Sequence, residues 1–209
     1  MSGKVLVFTL GFDIKFHIKS ILRHGRNLSK IVIVLSEPLD DRARKAFDEL
    51  KKFINEYVGV SFEAVTIDPL DFYSSIKILR EKFRENISSE YVFNLSGGMR
   101  AVVLATLLAA LYSNVKSIVE VELENFRGIV SFPISVLSLS EPNSEEKRLL
   151  KYLADKGSGS LDDVSSSLGI PRTTAYKMIK NLESKGYIIG TRIGKKIIYT
   201  LTELSKIWV

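Results

Sequence analysis

Two short segments carry the residue types from which an anion site is built. Thr9-Leu10-Gly11-Phe12 follows an apolar run, and Asn94-Leu95-Ser96-Gly97-Gly98-Met99-Arg100 follows a second one. Glycines let a backbone come close to a ligand, and a helix starting at Met99 offers free N–H groups and a positive dipole end. Arg100 and the Ser96 hydroxyl add charge and a hydrogen bond. Together these features suit a phosphate. Neither segment is a dinucleotide fingerprint, because Thr9–Phe12 lacks G-x-G-x-x-G, and the chain has no G-K-[ST] of a P-loop. The alternative reading of Gly97-Gly98 is a tight turn that merely starts a helix.

A third segment speaks to DNA. Pro171-Arg172-Thr173-Thr174-Ala175-Tyr176-Lys177 opens a helix that follows a Gly169-Ile170 turn. In a helix-turn-helix the second helix presents its first residues to base edges in the major groove. Arg172, Thr173, Thr174, Tyr176 and Lys177 supply donors there, and Lys180 reaches toward a phosphate. Ala175, Ile179 and Leu182 hold the opposite, buried face. Arg192-Ile193-Gly194-Lys195-Lys196 then puts Arg192, Lys195 and Lys196 on the tip of a two-stranded wing, beside a DNA backbone or minor groove. Tyr176 either stacks on a sugar or packs against the wing. The competing reading is a winged helix that contacts protein, with its cations merely solvated.

The elements that position these segments follow from periodicity. Apolar runs at Lys4–Leu10, Ile31–Leu35, Val60–Ile67 and Tyr91–Leu95 alternate with helical patterns at Asp13–His24, Asp40–Tyr57, Asp71–Asn86 and Met99–Ser113. Asp40 or Asp41 caps the second helix. This β-α-β-α order predicts an α/β, Rossmann-like, mostly parallel sheet with helices on both faces. Ser117–Glu124 and Gly128–Leu137 read as a terminal β-hairpin, turning through Glu124–Gly128. The strict alternation over Val119–Glu124 predicts one buried and one wet face. Ser138–Ser144 has linker composition. Beyond it come helices at Glu145–Lys156, Ser160–Leu168 and Arg172–Lys185, then a hairpin from Tyr187–Arg192 and Lys195–Leu201. That is a small α+β winged helix-turn-helix domain. The expected domains are therefore 1–138 and 139–209.

Composition narrows the function classes. The 209 residues include 45% apolar and 26% charged, enough for a real core in one medium and one small domain. The absence of cysteine excludes disulfides, thiolate zinc sites and cysteine nucleophiles. Two histidines, His17 and His24, leave little for a metal cluster, so no metal and no cofactor is expected; both histidines read as structural or exposed. No apolar run approaches a membrane span and no signal peptide is visible, so a cytoplasmic protein without a membrane partner is expected. The net charge is +6, and residues 141–209 hold 12 basic against 8 acidic residues, a weak pointer to a polyanion. Leu108, Leu111 and Tyr112 read as core or as a dimer interface, and Trp208 as packed on the small domain or paired across a dimer.

The strand–Thr9-Leu-Gly-Phe turn, the Asn94-Leu-Ser-Gly-Gly-Met-Arg turn and the trailing winged helix together resemble the CRISPR-associated transcription regulators of archaea. Those proteins join a CARF domain (CRISPR-associated Rossmann fold) to a C-terminal winged helix. The resemblance implies a homodimer whose CARF interface binds a cyclic oligoadenylate, with cyclic tetra-adenylate the expected ring. It implies ligand contacts at Thr9, Leu10, Gly11, Phe12, Ser96, Gly97, Gly98, Met99 and Arg100, and double-stranded promoter or operator DNA as the second partner. A two-fold dimer presents each turn twice, which suits a ring of four phosphates with its own two-fold symmetry. The expected function is thus ligand-responsive transcription regulation of CRISPR-Cas loci, and not an enzyme. The alternative is a CARF ring nuclease that slowly cleaves the bound ring by positioning a ribose 2′-hydroxyl, with Arg100 and Lys15 stabilising charge. Effector nuclease motifs do not fit: neither histidine follows an Arg at the ribonuclease spacing, and Glu49-Leu50-Lys51 and Glu145-Glu146-Lys147 sit in predicted helices.

Overall fold

The computed structural model describes residues 3–125 and 127–209, apart from the side chain of Arg26. Met1, Ser2 and Phe126, the last of which falls in the expected hairpin turn, lie outside the described residues. The chain divides after Ser138 into two compact units.

In the first unit, β1 (Lys4–Thr9), β2 (Leu28–Ser36), β3 (Phe62–Ile67), β4 (Glu90–Asn94), β5 (Ser117–Glu122) and β6 (Ile129–Pro133) form one sheet in the order β3-β2-β1-β4-β5-β6. All pairs are parallel except β5 with β6. Helices α1 (Lys15–His24) and α2 (Asp41–Phe53) cover one face, where Ile21, Ala46 and Leu50 pack on Leu6, Phe8 and Ile33. Helices α3 (Phe72–Arg84) and α4 (Arg100–Ser113) cover the other, where Leu79, Phe83, Val102 and Ala105 pack on Val7, Val34 and Phe93. Each fully buried aliphatic or Phe side chain stabilises these layers by about 1.5–3 kcal/mol relative to exposure. Asp40 caps α2 by accepting from the Arg42 N–H. Among the described residues no helix is long and apolar enough to cross a membrane.

Three local expectations are corrected. The alternating face of β5 is not wet: Glu120 and Glu122 are buried beneath α1. Arg23 donates to both carboxylates and the His24 ring contacts Glu120 at 2.9 Å, so the charges that read as solvent-facing meet partners from a helix about 100 residues away in sequence. The last strand is shorter than expected. It stops at Pro133, which has no N–H for the ladder, and Ile134–Ser138 winds into a 3₁₀ turn. Finally, α1 starts at Lys15 rather than Asp13, whose side chain instead accepts from the Lys15 N–H.

The second unit holds α5 (Ser144–Lys156), β7 (Gly159–Ser160), α6 (Leu161–Leu168), α7 (Arg172–Ser184), β8 (Ile188–Ile193) and β9 (Lys196–Leu201), with strand order β7-β9-β8. The two-residue β7 strand was not expected from sequence. The core is built from Leu149, Leu150, Leu153, Val164, Ala175, Ile179 and Leu182, with Tyr187 and Tyr199 from the hairpin. Trp208 packs edge-on against Tyr187. One carboxylate ties the unit together. Glu146 closes a capping box with Asn143 at the start of α5, and accepts from Asn181 and Lys185 at the end of α7.

Burial alone would raise the Glu146 carboxyl, but the bonds from Asn143, Lys185 and Asn181 hold it below its ordinary 4.5. A depressed carboxyl stabilises the fold above its unfolded-state value and loses that contribution as pH falls through the folded-state one. Glu146→Ala is therefore expected to destabilise the second unit by about 1–3 kcal/mol at pH 7. It should also flatten the loss of stability on acidification below pH about 4.5, read by thermal unfolding of wild type and variant across pH 3–7.

Candidate functional site

In a sheet of this order, ligands bind beyond the carboxyl ends of the strands at the point where the winding reverses, here between β1 and β4. The turns Thr9–Phe12 and Ser96–Met99 lie at that point and touch. A Cβ on Gly11 would sit 2.8 Å from the Gly98 nitrogen, so only glycine permits the approach. Gly98 has φ +99°, and a Cβ there would meet that of Thr9 at 3.0 Å. The Thr9 hydroxyl donates to the Gly97 carbonyl and locks the pair.

His17 holds the same junction from beneath. Its ring is fully buried, lies edge-on to Phe8 at 4.9 Å, and has Cε1 3.1 Å from where a Gly97 Cβ would stand. Nε2 lies 3.1 Å from the Thr9 carbonyl. A carbonyl only accepts, so Nε2 carries the proton and donates. Burial pushes the imidazole below its ordinary 6.5, against the bond to Thr9 and the charge of Asp13. Sequence reasoning placed His17 as structural or exposed and gave it no part in the turns. Its place four residues after Asp13, on the inward face of a helix that follows the first turn, is the only signal present.

Eight of the nine residues expected around the ligand line two grooves, and Ser96, Gly97 and Gly98 border both. Leu10, Gly11, Phe12, Ser96, Gly97, Gly98 and Met99 line a crevice of about 550 Å³ that extends to Asp13, Phe16, Ser36, Pro38 and Asp40. Arg100 lies on the other side of the turn, in a groove of about 400 Å³ with Leu104 and Glu124. Thr9 is buried behind its own turn. The Ser96 hydroxyl accepts from the Glu122 N–H, so it braces β5. Met99 is the residue before the first helical one, and α4 starts with neither a side-chain cap nor an acidic residue. Its first N–H groups are left without the side-chain acceptors that cap α2, α3, α5 and α6. Among the described residues no cluster of His, Asp and Glu could hold a metal.

In the second unit Arg172, Tyr176, Lys195 and Lys196 border one shallow depression between the start of α7 and the wing. Thr173, Thr174, Lys177 and Arg192 are exposed around it. Two cations are already paired. Arg172 donates to Asp162 of α6, and Lys180 donates to Glu183 at 2.6 Å while lying 5.9 Å over the Tyr176 ring.

A doubly wound sheet with two interlocked glycine turns at its switch point, followed by a winged helix with cations on both projecting elements, defines a class. It is a Rossmann-like domain joined to a winged helix of the transcription-regulator type. Residues 4–133 match the family described as the Csa3 CRISPR-associated Rossmann-like domain, and the chain belongs to that family. Residues 143–205 match the sugar-specific transcriptional regulator TrmB family. No curated protein matches the chain. Solved structures that resemble it include Can2 from Sulfobacillus thermosulfidooxidans in complex with cyclic tetra-adenylate (10% identity, 92% of this chain and 55% of that one, TM-score 0.48). Csm6 of Enterococcus italicus bound to cyclic hexa-2′-fluoro-hexa-dAMP shares 12% identity over 90% of this chain and 57% of that one, with TM-score 0.47. ZitR of Lactococcus lactis in complex with DNA shares 20% over 32% of this chain and 49% of that one, with TM-score 0.29. The matched part thus spans about half the length of each of the three.

His17→Phe keeps the ring volume and removes the donor. It is expected to cost the first unit about 1–3 kcal/mol at pH 8 by leaving the buried Thr9 carbonyl unbonded. A histidine kept neutral by burial also costs stability as pH falls below the unfolded value of 6.5. The gap between variant and wild type should therefore narrow between pH 7.5 and 5.5 in thermal unfolding, and a constant gap would contradict this role.

Proposed function

We propose that this protein is a homodimeric, ligand-responsive, DNA-binding regulator of CRISPR loci that senses a cyclic oligoadenylate at the two glycine turns. The observation that carries this reading is the interlocked pair of turns beside the uncapped start of α4, on a chain that also bears a winged helix. Free N–H groups at a helix start favour phosphate. Family membership supports the ligand class, through the resemblance to CARF regulators.

Dimerisation is supported by α4. This helix is apolar on all sides, yet Leu104 and Tyr112 are 53% and 52% exposed. A helix that is apolar all round is normally buried, and a second copy packed on α4 would bury this one beside the turns. On this reading residues 1–138 sense and dimerise, and residues 139–209 bind DNA. This reading assigns the turns to ligand binding and not to turnover. Incubation with labelled cyclic tetra-adenylate is expected to return the ring intact, and linear product would assign a ring nuclease instead.

Calorimetry is expected to detect cyclic tetra-adenylate binding to the wild type and none to Gly98→Val, in which the new side chain meets Thr9 at a backbone angle valine rarely adopts. The variant should keep ligand-free DNA binding, because the winged helix has its own core. Lys195→Ala with Lys196→Ala should weaken all duplexes alike and flatten the salt dependence by about one unit per lost phosphate contact. Arg172→Ala should cost about 1–3 kcal/mol and relax sequence preference if it reads a guanine. Unchanged DNA affinity in both variants would leave the winged helix as a protein-contact module.

A further inference from the structure

The wing ends in an open tip. Ile193 closes the β8–β9 ladder opposite Lys196, across a two-residue turn of Gly194 and Lys195. Residues 191–197 are all exposed, and a Cβ on Gly194 would meet no described atom within 4 Å. Residues 187–201 carry Arg192, Lys195 and Lys196 and no carboxylate. Arg192 curls back over the turn, its Nε donating to the Gly194 carbonyl at 3.3 Å. Among these cations stands one aliphatic side chain, Ile193, which is 63% exposed. The ladder register puts it on the outer face of the hairpin, opposite the face on which Tyr199 is buried.

A wing with these cations has two places open to it on a duplex, over the phosphates or in the minor groove. Over the phosphates, Lys and Arg supply the attraction and an isoleucine adds nothing. The minor groove is about 6 Å wide and lined by sugars and base edges, and an aliphatic side chain that enters it presses between neighbouring base pairs. We propose that the wing tip enters the minor groove and that Ile193 is a wedge there, so that the protein selects a pyrimidine–purine step beneath the wing. The inference rests on the DNA-binding reading above, and adds to it a residue and a base step.

Two other isoleucines of the wing are exposed, and neither suits the role. Ile189 lies four residues back from the tip, opposite Thr200. Ile197 pairs with Arg192 on the same face as Tyr199, and borders the depression that holds Tyr176. Ile193 alone stands at the end of the ladder and on its outer face. Its β-branched side chain is stiff about χ1, so fixing it between bases costs little rotamer freedom. Pyrimidine–purine steps unstack more readily than others, so a wedge meets the least resistance there. The selection works through deformability and needs no hydrogen bond to either base.

The test uses the full chain and a pool of duplexes randomised over the whole site. Wild type is expected to select duplexes with TA or CA at a fixed position, and Ile193→Ala to select without that step. Replacing the step by AA should cost the wild type about tenfold in affinity and Ile193→Ala less than about threefold. The salt dependence should not change in the variant, which keeps every cation. 2-Aminopurine placed at the step should brighten when wild type or Ile193→Leu binds, and stay dim with Ile193→Ala. Ile193 lies outside the core of its unit, so these variants should unfold at the wild-type temperature. Ile193→Gln, polar and of similar length, should repeat the alanine result. No preferred step, no brightening with wild type, or a preference that survives both Ile193→Ala and Ile193→Gln would overturn the wedge and leave the DNA-binding reading standing. Selection of no duplex at all would overturn both.

Discussion

Two backbones meet where the sheet reverses its winding, and the rest of the first unit is arranged to keep them there. Gly11 and Gly98 approach to a distance that excludes any Cβ. That approach brings Thr9 within reach of the Gly97 carbonyl and leaves the Thr9 carbonyl for His17. The constraint passes from there into the helices. α1 must present an imidazole inward two residues after it begins, and α4 must begin immediately after Met99. Each contact is small, but they share atoms, so the turns hold one geometry rather than several.

The far end of α1 is secured differently. Arg23 and His24 clamp Glu120 and Glu122, which are buried against the sheet. Such pairs add little to stability because desolvation offsets most of the attraction. They do penalise every other register, since a slipped helix would leave two buried carboxylates without partners. The Ser96 hydroxyl bonds the backbone of Glu122, so the same strand that anchors α1 also steadies the second glycine turn. The ends of α1 thus answer to one site.

Much of this was legible in the sequence. Apolar runs of Val, Ile and Leu alternating with amphipathic helices specified the parallel sheet, and the Gly97-Gly98 pair before a helical pattern specified the turn at the end of β4. The recognition helix and wing were readable because Pro171, Gly169, Gly186 and Gly194 punctuate them so clearly. What the sequence hid were partnerships across long separations. Period-two alternation places Glu120 and Glu122 on one face, but it cannot report that a helix from the N-terminus covers that face. In the same way, Asp40 read only as a cap, and nothing local says that it borders a crevice with Phe12 and Gly97. Likewise, adjacency in sequence conceals that Gly11 and Arg100 line different grooves.

The ion pair between Arg172 and Asp162 bears on how a regulator finds its site. In the proposed DNA complex the guanidinium must leave a carboxylate before it reaches a base. On arbitrary duplex it has little to gain by doing so, and the recognition helix meets the polyanion with part of its charge already neutralised. At a well-placed guanine, two parallel hydrogen bonds outweigh the intramolecular partner. If Arg172 reads a guanine, this pair weakens binding to random sequence more than binding to the operator. A genome presents millions of competing stretches, so the ratio of operator to random affinity matters more for occupancy than the strength of the final contact alone. In the proposed complex, selectivity would then owe something to Asp162, a residue that need not touch DNA at all.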